Sequence, residues 1–329
     1  MKLSVIMSVH NNADSIEAAM VSVLGQGFKD FEFIVVNDGS TDRSAEVIES
    51  FRQKDNRVVV ITQDNKGLTK SLNIAIKQAK GEYIARQDAD DVSLPDRFLS
   101  QVDFLDKNKE RGFVGCSCEV VDAGGDFLER IYIDDDPQKN IAALGKGNIF
   151  CHGSMMFRKD ILERSGGYRE FFKYAQDYDL YLRLIEFTLP GAVKKVLYQR
   201  KVSWGNISAQ KAGLQLAYAG LARQCHEKRL SANDDSSLLN ETLLLNNNNR
   251  AAQDNYSSDF LHALHCLKNN EISDARIILQ AYLGLPGLRN FKVRLLWALS
   301  YFPLCVRTAA FWLRDILRRI LSFRIRIIL

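Results

Sequence analysis

Three carboxylates crowd into Asp88-Ala89-Asp90-Asp91, and no other stretch of this sequence is better equipped for chemistry. Carboxylates this close repel one another unless a cation or several donors compensate. A hard divalent ion takes oxygen ligands and fills its shell with substrate phosphates, so the cluster reads as a Mg2+ or Mn2+ site presenting a diphosphate. The plainer reading is a solvated acidic turn in which Asp91 caps the helix that follows Pro95. Asp38, followed by Gly39 and Ser40, offers a carboxylate suited to a base N–H or a ribose hydroxyl, and equally suited to a turn. Ser8, His10 and Asn11 form a polar group that is ambiguous in the same way.

Two more acids, Asp177 and Asp179, lie in Gln176-Asp177-Tyr178-Asp179-Leu180. Transfer of a sugar with inversion needs a carboxylate that takes the proton from the attacking hydroxyl. The apolar positions Leu180, Leu184 and Ile185 set a helix face, which puts Asp177 at or before the first turn, where the helix dipole favours an anion. A helix-start acid without chemistry fits the same spacing. His152, in Cys151-His152-Gly153-Ser154, can assist a metal or a diphosphate oxygen, although a lone histidine is more often structural.

The elements that position these residues can be read from periodicity. Short apolar runs at Leu3 to Met7, Phe31 to Val36, Val58 to Ile61 and Tyr83 to Ala85 predict strands, the first of them buried on both faces. Helical spacing separates them: Ile16, Met20, Val23 and Leu24 after a capping Asp14, a helix from Thr41-Asp42, then Leu68, Leu72, Ala75, Ile76 and Ala79 up to Gly81. Alternating strands and helices predict a parallel sheet with right-handed crossovers, whose ligand sits outside the carboxyl ends of the strands. The four loops there are polar: Ser8 to Asn12, Asn37 to Ser40, Asp64-Asn65-Lys66-Gly67, and Asp88 to Asp91. A further helix carries Phe98, Val102 and Leu105, a strand runs from Phe113 to Val121, and a turn follows at Asp122 to Gly125. From about Ala209 the chain reads as helical, interrupted by a polar linker from Ser231 to Asn255.

Taken in order, these pieces resemble the family 2 glycosyltransferases of GT-A fold, over Leu3 to about Ser208. The resemblance rests on Ser4 to Asn11, Ile34 to Asp42, Asn65 to Leu68, Gly81 to Asp91 with Pro95 and Arg97, His152 to Arg158, Gly166-Gly167-Tyr168 and the Asp177 segment. Ala85-Arg86-Gln87-Asp88 is most similar to enzymes of bacterial capsule and exopolysaccharide assembly. Asn37 and Gln176 depart from acids frequent in the family. The resemblance implies an α/β, Rossmann-like GT-A domain at 1–208 and a mainly helical extension at 209–329. It further implies transfer from a nucleotide-diphosphate-sugar, UDP-linked first among them, to a glycan or lipid-linked hydroxyl in surface polysaccharide synthesis, with Mn2+ or Mg2+. Asp38 then contacts base or ribose, helped by Ser8, His10, Asn11 and Asn65. Asp88 faces the ribose or sugar, Asp90 holds the metal with His152 near it, and Asp177 is the general base.

Bulk properties agree with this. A net charge of +4 over 329 residues is too small to imply nucleic acid. The six cysteines show no metal spacing, and reduced thiols are expected. The first strand is too short for a signal core with a cleavage site, so a cytoplasmic protein is expected. Between Arg289 and Leu329 nine basic residues face a single acid, Asp315, and apolar side chains surround them. Such a segment suits peripheral binding to the anionic inner face of the cell membrane, or packing on the catalytic domain. A sugar nucleotidyltransferase is disfavoured because its Gly-rich basic loop is missing after the first strand. A nucleotide-sugar-binding scaffold without turnover is disfavoured by Asp38, Asp90 and Asp177.

Overall fold

The computed structural model describes residues 1–202, 212–232 and 234–236. Two compact units divide the chain, Met1–Lys211 with Tyr218–Leu244, and Ala212–Ala217 with Leu245–Leu329. Of the second, only 212–217 are described, so the basic segment at 289–329 and most of the polar linker lie outside the described residues.

In the first unit, strands β1 (Leu3–Val9), β2 (Phe31–Asp38), β3 (Val58–Gln63) and β4 (Tyr83–Arg86) alternate with helices α1 (Ile16–Leu24), α2 (Ser44–Lys54) and α3 (Leu68–Gln78). These four strands are parallel, in the order β3-β2-β1-β4. Every residue of β2 and β4 is buried, as expected of strands covered on both faces. Asp14 does not cap α1; Ser15 takes the cap position and no side chain bonds there, because Asn12 O already accepts from the Ser15 and Ile16 N–H groups.

Beyond β4 the connectivity changes. After β5 (Val92–Ser93) and α4 (Arg97–Lys107), β6 (Arg111–Val121) turns through Asp122 into β7 (Phe127–Ile131). The chain continues through α5 (Pro137–Leu144), a single 3-10 turn (His152–Ser154), β8 (Met156–Arg158), α6 (Lys159–Arg164), α7 (Gln176–Leu184) and β9 (Leu189–Lys201), and then helix α8 (Ala212–Ala232). β8 inserts antiparallel between β4 and β6, and β9 runs parallel to β6 and antiparallel to β5. The nine strands form one sheet.

Close backbone approaches fix this sheet. A Cβ on Gly81 would meet Ser4 N at 2.4 Å and Leu3 C at 2.5 Å, so only glycine lets the α3–β4 connection cross β1. There Ser4 Oγ donates to Glu32 and accepts the Gly81 N–H at 2.8 Å, which satisfies buried polar groups at the base of the sheet.

Candidate active site

The site is built from the strand ends. After β1, His10 Nδ1 donates to the Asp38 carbonyl at 2.9 Å, and in that tautomer Nε2 can accept from Asn65 Nδ2 at 3.1 Å. Asn11, held at φ 53°, accepts the Thr41 N–H at 2.8 Å, and its own N–H reaches Ser40 Oγ at 3.2 Å. The loops after β1, β2 and β3 are therefore tied into one rim, with half-buried Ser8 at its base.

Asp38 is the knot of that rim. Its carboxylate accepts the Lys66 N–H at 2.8 Å, the Gly67 N–H at 2.9 Å and Gln63 Nε2 at 2.7 Å. Burial on its own raises a carboxyl pKa; the bonds from Lys66, Gln63 and Gly67 outweigh it and hold Asp38 below its usual range. A carboxylate offers about four acceptor positions, so three donors leave room for one more, such as a base or ribose donor.

The acidic turn after β4 is stapled from behind by two buried polar side chains. Gln87 Nε2 donates to the Asp88 and Asp91 carbonyls, each at 2.9 Å, and Gln87 Oε1 accepts from Ser93 Oγ at 2.6 Å. Arg97, fully buried, donates to the Arg86 carbonyl at 2.7 Å, to Ser93 Oγ at 2.7 Å and to Gln87 Oε1 at 3.2 Å. These bonds fix the backbone so that the carboxylates cannot relax apart. Asp91 does not cap α4; Asp96 occupies the cap position, and Asp91 Oδ1 accepts the Lys201 N–H at 2.8 Å, fastening the turn to β9.

Charge in the turn is unevenly compensated. Asp88 pairs with the buried guanidinium of Arg86 at 2.5 Å; burial raises its pKa, but Arg86 and then His152 and Arg200 bring it below the ordinary value. Asp90 is pushed up by burial and by the Asp88 charge, and Asp91 further up by burial, Asp88, Cys151 and Asp90. Raised carboxyls beside one another mark a place where an added cation would relieve repulsion. Among the described residues no three His, Cys, Asp or Glu side chains converge on one point to hold a metal ion. One or two carboxylates with phosphate oxygens suffice for Mg2+ or Mn2+, so the donor set fits a cation brought in with a diphosphate.

The 3-10 turn lies against this cluster. A Cβ on Gly153 would sit 1.9 Å from Tyr198 Oη and 2.7 Å from Asp88 Oδ2, so glycine alone permits the approach. His152 Nε2 is 2.7 Å from Tyr168 Oη. Burial and then Arg86 lower the His152 pKa, which favours the neutral imidazole, the form able to ligate a metal. Asp177 stands in the first turn of α7, entered through Ala175 at φ 52°, and accepts from Asn148 Nδ2 at 2.7 Å. Its charge and that of Asp88 both act on His152, Tyr168 and Tyr181, so the start of α7 and the acidic turn lie within electrostatic reach of the same three side chains. Asp179 has a different task. Wholly buried, it pairs with Arg169 and, at 3.1 Å, with Arg183 Nε, while Arg169 also binds Asp235 at 2.7 Å. It anchors α7 and leaves Asp177 facing outward.

Sequence reading did not assign Arg86, Asn148, Tyr168, Arg200 or Tyr198 to the site. Arg86 is 1% exposed, and its Nε and Nη1 have no hydrogen-bond partner among the described residues. A signal existed for it, since an arginine within a wholly buried strand needs a reason. Tyr168 lies in the Gly166-Gly167-Tyr168 piece without a role being read from it, and nothing local marks Asn148, which reaches the site through long-range packing.

The Glycosyl transferase family 2 model matches residues 4–166. The O-antigen biosynthesis glycosyltransferase WbnJ of Escherichia coli is 33% identical over 184 residues, which span 56% of this chain and 71% of WbnJ. Among solved structures, S. aureus TarS 1-349 in complex with UDP-GlcNAc aligns with a TM-score of 0.61 at 20% identity, covering 96% of this chain and 92% of TarS 1-349. The mannosyltransferase PcManGT of Pyrobaculum calidifontis, in complex with GDP-Man and Mn2+, aligns at 0.54 and 17% identity over 93% of this chain and 84% of that one. At such identities the two structures establish the fold, which is GT-A.

Proposed function

The chain belongs to glycosyl transferase family 2 and is a glycosyltransferase, and from that premise we propose that it transfers a sugar from a nucleotide-diphosphate-sugar, a UDP-sugar first among them, to a hydroxyl of a glycan or lipid-linked acceptor in bacterial surface polysaccharide synthesis. One observation carries the reading: Gln87 and Arg97 hold the acidic turn after β4 from behind, and the 3-10 turn that begins at His152 packs so closely on it that a Cβ on Gly153 would lie 2.7 Å from Asp88 Oδ2. Nucleotide-sugars bound to TarS and PcManGT, two proteins of this fold, support the donor class, and the Mn2+ of PcManGT supports the cation.

In this proposal Ser8, His10, Asn11, Asp38 and Asn65 receive the base and ribose, and Asp88 faces the ribose or sugar. Asp90 would hold Mn2+ or Mg2+, with neutral His152 beside it, and a cation there would supply neutralisation of charge on the leaving diphosphate. Asp177 takes the proton of the acceptor hydroxyl as its oxygen attacks the anomeric carbon. The bond from that carbon to the diphosphate breaks on the opposite face, which inverts the centre. The rigid backbone behind Asp88 and Asp90 keeps the negative groups placed before the donor arrives, so little reorganisation remains for the reaction.

A catalytic domain ending near residue 208 and a helical extension on the inner face of the membrane complete the proposal. The described residues contain no helix long and apolar enough to cross a membrane. Flotation with anionic liposomes, lost on removing residues 290–329, tests the attachment. Incubation with a panel of UDP- and GDP-sugars, with Mn2+ or with EDTA, tests the reaction. Cation-dependent nucleotide release from a particular donor is expected; no release and no thermal stabilisation by any donor would contradict it.

A further inference from the structure

A pocket of about 450 Å³ lies beside the site, walled by the segment after β7, by α5 and by the residues leading into the 3-10 turn. It is tied to both halves of the chemistry. Asn148, on its lining, donates to Asp177 Oδ2 at 2.7 Å. Arg200, also on the lining, precedes Lys201, whose N–H binds Asp91. A molecule in this pocket therefore borders Asn148, which contacts the candidate base, and Arg200, the chain neighbour of the residue that binds the acidic turn.

The chemistry of the walls narrows what fits. Lys139 pairs with Asp134 at 3.2 Å and lies 3.9 Å from Asp136, and Asp134 also takes Lys194 at 3.0 Å, so two lysines meet two carboxylates. The Arg200 guanidinium interacts electrostatically with Asp91 and Asp88. Asn148 Nδ2 donates to Asp177 and its Oδ1 accepts the Phe150 N–H at 3.1 Å, so what remains to address a ligand is the second Nδ2 hydrogen of Asn148 and the ring of Tyr132, which is 69% exposed at the pocket rim. An aromatic face with neutral amides suits the C–H face and hydroxyls of an uncharged sugar ring, and a volume of this size is ordinary for a small-molecule site.

We infer that this pocket is the acceptor subsite, that it takes a neutral sugar unit on Tyr132, and that Asn148 is a positioning residue that turns Asp177 toward the bound hydroxyl. The inference rests on the proposed transfer reaction. Asn148 supplies the contact that selects one rotamer of Asp177, and the same residue borders the acceptor, so occupation and orientation of the base are linked.

The test uses the full chain, the donor found by the nucleotide-release screen, and neutral p-nitrophenyl glycosides (glucoside, galactoside, N-acetylglucosaminide) as acceptor probes, with p-nitrophenyl glucuronide as the acidic counterpart. Tyr132→Ala is expected to raise the KM for a neutral glycoside about tenfold or more while kcat stays within about twofold. Asn148→Ala is expected to cut kcat about tenfold or more at saturating glycoside. Calorimetry should give unchanged UDP or GDP affinity for both variants. Wild-type KM and kcat in both variants, with nucleotide still bound and released, would overturn the pocket and leave the transfer reading intact. Preference for the glucuronide would overturn the neutral-sugar assignment. Nucleotide release without transfer to any glycoside, and without a saturation-transfer NMR signal from one, would overturn the subsite. No nucleotide binding or release at all would instead remove the transfer reading on which it rests.

Discussion

The two halves of the sheet hold their polar residues in different ways. Around β1, β2 and β3 the loop groups satisfy one another: His10, Asn11, Asp38, Ser40 and Asn65 are joined by short hydrogen bonds, and the Asp38 carboxyl is lowered by its donors. Around β4, the 3-10 turn and α7, charges are crowded and buried: Asp90 and Asp91 are raised, and the Arg86 guanidinium keeps two nitrogens without a hydrogen-bond partner among the described residues. In the proposed reaction the satisfied network serves as a rigid receptor for a base and ribose. An electrostatically strained one gains free energy when a cation and a diphosphate arrive, which is where a transferase needs binding to be concentrated.

Substitutions can break this contrast, and the largest effect belongs to the crowded half. Asp90→Ala is expected to lower cation-dependent nucleotide release by about 10³-fold or more, read as kcat/KM with Mn2+, since electrostatic groups at a leaving diphosphate contribute on that scale. Asp177→Asn should cut transfer about 10² to 10⁴-fold, the range of general base catalysis, with UDP affinity unchanged in calorimetry. Transfer at the wild-type rate would remove Asp177 from the role of base. Asp179→Ala, one turn position away, should act on stability. It leaves Arg169 and Arg183 without their buried partner, a loss of about 3–5 kcal/mol measured by urea denaturation.

The smallest effect belongs to the satisfied half. Asp38→Ala removes the acceptor of the part-buried Lys66 and Gly67 N–H groups and should cost about 1–3 kcal/mol. Because the folded pKa of Asp38 is depressed, its contribution is present above the ordinary carboxylate pKa and is lost as pH falls through the folded value. The stability gap between wild type and Asp38→Ala should therefore be full at pH 7 and shrink below about pH 4. A gap that widens on acidification would contradict the assignment.

The same contrast explains what could be read from the sequence. The first half follows from local rules: apolar runs, helical spacing and turn residues place four parallel strands, and the strand-end rule then gathers Ser8, His10, Asn11, Asp38, Asn65 and the Asp88 to Asp91 turn. The second half depends on pairings between distant segments. β8 enters between β4 and β6, β9 pairs with β6 some eighty residues earlier, and these contacts deliver Arg200, Tyr198 and His152 to the turn. No periodicity announces them. Asp177 and Asp179 show the limit most plainly: two residues apart in one helix turn, one accepts from Asn148 and the other is buried against two arginines, and only packing distinguishes them. Gln87 and Arg97 lie within the motif, yet their work as staples behind the acidic turn is visible only in three dimensions.

The central claim is that the acidic turn grips a diphosphate through a divalent cation. Electron paramagnetic resonance of Mn2+ titrated into the full chain, with and without UDP or GDP, tests it most directly. The account predicts bound Mn2+ that requires the nucleotide diphosphate in wild type and disappears in Asp90→Asn. Nucleotide bound with the same affinity in EDTA, and Mn2+ uptake unchanged by Asp90→Asn, would contradict it.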